Sequence, residues 1–192
     1  NVRMSPPLMA FCCERGVSIS FLSSHGRFLG RVVGETTGNV LLRRTQYRWA
    51  DSAEKSVPIV RNVVSAKVAN CRTNLRRTLR DHGDRVNSGA LGQAIDRLNR
   101  QIDRTREEHA PDVIRGIEGD AGRTYFGVFD HMILSNKPQF SFQGRSRRPP
   151  LDRVNALLSF VYSLVYHDTR SALEAAGLDP AVGYLHRDRP GR

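Results

Sequence analysis

Apolar and polar positions divide this chain into two regimes, one with a period of two and one with a period close to 3.6. Val17-Ser18-Ile19-Ser20-Phe21-Leu22 alternates, and Phe28-Leu29-Gly30-Arg31-Val32-Val33 is a second strand candidate. The turn Ser23-Ser24-His25-Gly26 between them makes the pair a hairpin. Ahead of it, Pro6 to Gly16 has proline near its start and glycine at its end, the punctuation of a short helix. Two strands and one helix form a poor core alone. From about Val57 the pattern turns helical. Val60, Val64, Val68, Cys71, Leu75 and Leu79 recur at spacings of three and four. Leu91, Ala94, Ile95, Leu98 and Ile102 predict a second helix, after Asp81-His82-Gly83-Asp84 and Asn87-Ser88-Gly89. A third runs from Pro111 to Phe129 on Val113, Ile114, Ile117, Ala121, Tyr125 (or Val128) and Phe129. Residues 135–150 show no period. Leu151, Val154, Leu158, Val161, Val165 and Ala172 stripe a fourth helix, which Gly177 and Pro180 end. The fold class predicted is α+β: a partial N-terminal β domain over 1–50, a linker over 51–56, and an all-α-helical C-terminal domain over 57–192. The chain opens at Asn1 as though inside a domain, so further sequence upstream is expected.

The third helix is unusual. Gly116, Gly119, Gly122 and Gly127 lie within it, and each costs roughly 1 kcal/mol relative to alanine in a helix interior. Repeated glycine in a helix points to something that must approach the backbone closely. Glu118 stands in the middle of this thinned surface, with Arg115 one turn before it on the same face. The pattern marks Glu118 as a functional carboxylate.

Charge narrows the partner. Thirty Lys plus Arg against nineteen Asp plus Glu give a net charge of +11, and only Lys55, Lys67 and Lys137 are lysines. Arginine forks onto phosphate oxygens, so the excess favours a polyanion, nucleic acid first. Gly144-Arg145-Ser146-Arg147-Arg148 is the densest cluster and reads as a contact to a DNA backbone. Cys12, Cys13 and Cys71 offer neither a disulfide framework nor metal spacing, and read as small core residues of a reduced compartment. No apolar run approaches a membrane span and no signal peptide is recognisable, so the expectation is a soluble cytoplasmic protein without membrane contact. His167-Asp168 reads as structural, since helix neighbours point about 100° apart. His25, His82, His109 and His131, in turns or at helix ends, are given no role.

Three motifs follow one another in a telling order: Gly116-Ile117-Glu118-Gly119, Asn155-Ala156-Leu157-Leu158-Ser159, and Gly177-Leu178-Asp179-Pro180 continuing to Gly183-Tyr184-Leu185-His186. Together they closely resemble CRISPR-associated protein one, the integrase of spacer acquisition, over essentially the whole chain. The hairpin around Gly26-Arg27-Phe28-Leu29-Gly30 resembles the end of that family's N-terminal β domain. The resemblance implies a metal-dependent DNA endonuclease and integrase whose helical domain is catalytic. In this reaction the 3′-hydroxyl of a short DNA fragment attacks a phosphodiester of a CRISPR array. It implies that Glu118 and His186 are catalytic metal ligands and that a third, an aspartate, is expected beyond Arg192. Asp188 lies too close to His186 to replace it. It also implies a homodimer working with double-stranded DNA and a small ferredoxin-like CRISPR adaptation protein.

The chemistry suits these residue types. Phosphodiester transesterification needs a cation on the phosphoryl oxygen. Hard oxygen ligands suit Mg²⁺, and one imidazole among carboxylates tilts preference toward Mn²⁺. Arg115 would meet the neighbouring phosphate, Arg189 would be a second clamp if its segment is helical, and Tyr166, which matches a family tyrosine, would hydrogen-bond a phosphate. Two rivals make different demands. A non-catalytic helical nucleic-acid-binding module would leave Glu118 and His186 incidental, and a phosphodiesterase for small substrates would need a closed pocket.

Overall fold

The computed structural model describes residues 3–24, 28–35 and 39–186. In chain order the elements are α1 (Pro6–Glu14), β1 (Ile19–Leu22), β2 (Phe28–Val32), α2 (Val40–Ala50), α3 (Ala53–His82), α4 (Ser88–Glu107), α5 (Pro111–Gly127), a 3-10 turn (Phe129–Met132) and α6 (Arg153–Ala175). The α+β class is as the patterning predicts, helices predominating over one antiparallel hairpin. The chain packs as two compact units, Asn1–Arg48 with Leu158–Val182, and Trp49–Leu157 with Gly183–Arg192. This division does not follow the sequential split at 51–56, because α6 supplies residues to both units.

The second unit holds the apolar core. Val57, Val60, Val64, Val68 and Leu75 of α3 meet Leu91, Ala94, Ile95, Leu98 and Ile102 of α4, with Ile114 and Ala121 of α5. Cys71 and Leu79, on the predicted stripe, are only partly buried at its edge. Val113, expected to face inward, is instead exposed, since a stripe centred on Ile114, Ile117 and Ala121 turns it outward. Ser52 accepts from the Lys55 N–H and Asn87 from the Ala90 N–H, so both long helices start on side-chain caps.

Two expectations change here. The stretch 40–50 is helix and not part of a β region, and the linker shrinks to Asp51 and Ser52 because α3 begins at Ala53. Periodicity missed α2 because its buried residue is Gln46, a polar one, while Val40 and Leu41 are exposed.

In the first unit β1 and β2 pair with Ile19 opposite Val32 and Phe21 opposite Gly30, and an irregularity follows at Leu22. An ion pair and a ring stack join the hairpin to α6. Arg31 bonds Glu174 at 2.5 Å, with Arg170 on the same carboxylate oxygen at 3.4 Å, and the Phe28 ring stacks on His167 at 4.3 Å. These donors, Arg31 first, hold the Glu174 carboxyl below its usual range. No apolar side chain of this unit is among the buried described residues. Just past the end of α6, Gly177 takes φ +81°, and the Leu178 N–H returns to the Leu173 carbonyl at 2.9 Å. α2 grips the turn beyond. Gln46 donates to the Asp179 carbonyl and accepts from its N–H, both at 2.8 Å, Tyr47 donates to the Asp179 carboxylate at 2.5 Å, and Arg43 donates to the Gly177 carbonyl at 3.2 Å.

Candidate metal and nucleic-acid site

Glu118 owes its position to its neighbours on α5. Ile114, Ile117 and Ala121 lock one face of the helix into the core, which turns Glu118 to the rim with its side chain 21% exposed. The glycines do leave this helix open. Among the described residues, a Cβ built on Gly116, Gly119, Gly122 or Gly127 would meet nothing within 4 Å. One turn before Glu118, Arg115 is engaged by Asp112 at 2.9 Å. The cation on Glu118 is instead Lys67 of α3, whose ammonium donates to Oε1. Patterning gave no sign of this pair, since Lys67 lies just outside the apolar stripe of its helix.

Beside Glu118 on the chain, Asp120 binds Arg97 at 2.9 Å and Arg123 at 3.3 Å, and takes a bond from the Gln101 amide. Partial burial pushes the Asp120 carboxyl upward, but these donors outweigh it and hold the group below its usual range. Asp120 therefore ties α5 to α4.

His186 is exposed at the end of a segment whose Tyr184 and Leu185 pack against the core that Ile114 and Ala121 enter. Glu118 and His186 thus belong to the same compact unit. Among the described residues, no three His, Cys, Asp or Glu side chains are grouped to hold a metal ion. Arg189 lies outside the described residues.

The aperiodic stretch 135–150 is well anchored. Asp130 accepts from the Phe142 N–H at 2.8 Å and from Lys137 at 2.6 Å, and Phe142 is buried against Phe126 and Phe129. Asn155, fully buried in the first turn of α6, organises the rest. Its amide donates to the Gly144 carbonyl at 2.8 Å and to Asp152 at 2.6 Å, and its oxygen accepts from the Ser146 N–H at 3.0 Å and from Arg145 at 2.9 Å. Arg145, read from sequence with the DNA-contacting arginines, spends its guanidinium on Ser146 and Asn155 and is half-buried. Arg147 and Arg148 are exposed. Tyr166 is 59% exposed in the other unit, with its ring edge-on to His167. Sequence reasoning passed over Asn155 as a functional position although it opens the second motif, because a buried polar hub has no period.

The family model for the CRISPR-associated protein Cas1 matches residues 1–192. The chain belongs to the Cas1 family. A CRISPR-associated endonuclease Cas1 of Chlorobaculum tepidum is 51% identical over 192 residues, which is 100% of this chain and 56% of that protein. A Cas1 protein from Thermotoga maritima superposes with a TM-score of 0.71 at 26% identity, over 100% of this chain and 57% of that one. A chain of a partial Cas6-RT-Cas1–Cas2 complex superposes with a TM-score of 0.67 at 25% identity, over 98% of this chain and 55% of that one. The chain therefore spans a little over half the length of the Cas1 relatives it matches.

Proposed function

We propose that this chain carries two metal ligands of a Cas1 endonuclease and integrase, Glu118 and His186, and the basic surface that holds DNA beside them. One observation carries the reading. Glu118 sits at the rim of an open, glycine-lined helix face and already holds a cation, the ammonium of Lys67. A carboxylate with an imidazole is a donor set that suits Mg²⁺ or Mn²⁺. An open rim fits a polymer strand better than the closed pocket that a small substrate demands.

Bound between Glu118 and His186, a divalent cation would polarise the phosphoryl oxygen and stabilise the oxygens entering and leaving. Glu118 would supply charge and His186 a neutral nitrogen, which must stay unprotonated to ligate. Arg147 and Arg148, held out by the loop that Asn155 builds, bind backbone phosphates, as would Arg115 once released from Asp112. Tyr166 and Arg189 are further phosphate contacts. In the reaction, the 3′ oxygen of the incoming fragment forms a bond to phosphorus and loses its proton to solvent. The bond from phosphorus to the array's 3′ oxygen breaks, and that oxygen takes up a proton. An aspartate beyond Arg192 would complete the ligand set. The working assembly is a homodimer on double-stranded DNA with a small ferredoxin-like partner, in the cytoplasm. No helix among the described residues is long and apolar enough to cross a membrane.

The test uses the full-length protein. Glu118→Gln and His186→Ala should each lower metal-dependent strand transfer by about 100-fold or more, the upper end of what losing even a ligand's supporting partner costs. DNA binding, followed by fluorescence anisotropy, should survive in both. Equal loss of binding and transfer would argue against a ligand role, and unchanged binding and transfer in both variants would favour the non-catalytic binding module.

A further inference from the structure

The ion pair between α3 and α5 carries more than a packing role. Lys67 is not part of the core: its side chain is 53% exposed, and its ammonium reaches the Oε1 oxygen of Glu118. Arg115 is nearer to Glu118 in sequence, yet it is occupied by Asp112 at 2.9 Å. Asp120, two residues on, is held by Arg97, Arg123 and Gln101. Among the described residues, Lys67 is thus the cation that contacts the carboxylate at the rim of the open helix face.

We propose that Lys67 is an exchangeable counter-ion of Glu118, competing with the divalent cation for the same oxygen and so setting the metal affinity of the site. This rests on the reading of Glu118 as a metal ligand. The residue types fit the task. Lysine is a compact point charge on a flexible stem, able to swing away, whereas arginine grips a carboxylate with a planar fork. Oxygen ligands serve an ammonium and a hard divalent cation alike. A partly exposed ion pair is weak, so displacing it costs only roughly two- to fivefold in apparent affinity. That is enough to hold Glu118 in a defined rotamer and too little to keep the metal out. The exposed head of Lys67 can move without disturbing Val64 and Val68, the buried residues on either side of it.

The experiment is a titration of full-length protein with Mn²⁺ alone, reading free Mn²⁺ by electron paramagnetic resonance. Wild type is compared with Lys67→Met, Lys67→Gln, Lys67→Arg and Glu118→Gln, each checked for a native thermal transition. Competition predicts that Lys67→Met and Lys67→Gln bind Mn²⁺ roughly two- to fivefold more tightly, and that Lys67→Arg, which keeps the charge, does not. Glu118→Gln should lose the site. Unchanged or weaker binding in both neutral variants, with Glu118→Gln still deficient, overturns the role of Lys67 and leaves the metal reading standing. Undiminished binding in Glu118→Gln overturns both.

Discussion

Asn155 shows how one buried amide can specify a loop. All of its hydrogen-bonding capacity is used, on Gly144, Arg145, Ser146 and Asp152. Asn155→Ala leaves those groups without their partner and should cost about 1–3 kcal/mol, the range for stranded buried polar groups. Chemical denaturation would read the loss, and faster amide exchange at Ser146 would localise it. Asp120 makes a prediction in pH. Its folded pKa is depressed, so its contribution to stability is present above the ordinary carboxylate value of 3.8 and is lost as pH falls through the lower folded value. The stability gap between wild type and Asp120→Asn should therefore be wide at pH 7 and narrow in strong acid, measured as the difference in thermal midpoints.

At the scale of the element, α5 separates stability from function. Among the described residues nothing lies within 4 Å of a Cβ at Gly122, which shares the face of Glu118 one turn on. Gly122→Ala should raise stability by about 0.5–1 kcal/mol through helix propensity alone, read by denaturant titration. Gly122→Trp should fold as well but obstruct a DNA strand, with DNA cleavage lost and the thermal midpoint retained. A fall in midpoint for the alanine variant would mean the glycine serves the fold and not the approach of a ligand. α6 teaches the opposite lesson. Val161 and Val165 lie on its apolar stripe yet are 46% and 56% exposed, because a period shows that a helix has a face without showing what covers it.

For the whole molecule, charge sets the terms of the DNA binding proposed above. With a net charge of +11 held largely on arginine, affinity should fall steeply with salt. Removing Arg147 or Arg148 as alanine should each reduce the slope of log affinity against log salt by about 0.9, the value for one phosphate contact on duplex DNA. Arg145→Ala should instead destabilise the loop, since its guanidinium is spent on Ser146 and Asn155.

The sequence alone determined the class of fold and the order of its parts. The hairpin, the helices α3, α4, α5 and α6 and the Gly177 stop follow from periodicity and backbone stereochemistry, which act over a few residues. It also marked the α5 glycines as departing from helix preference, a local property too. Tertiary structure alone decided which side chains meet. Lys67 lies 51 positions from Glu118, and Gln46 lies 133 from Asp179. α2 stayed hidden for the same reason, being held by Gln46, Tyr47 and Arg43 rather than by an apolar stripe. Hydrophobic burial leaves a periodic trace in the chain that bears it, whereas a polar contact is written in two distant places and acquires meaning only when folding joins them.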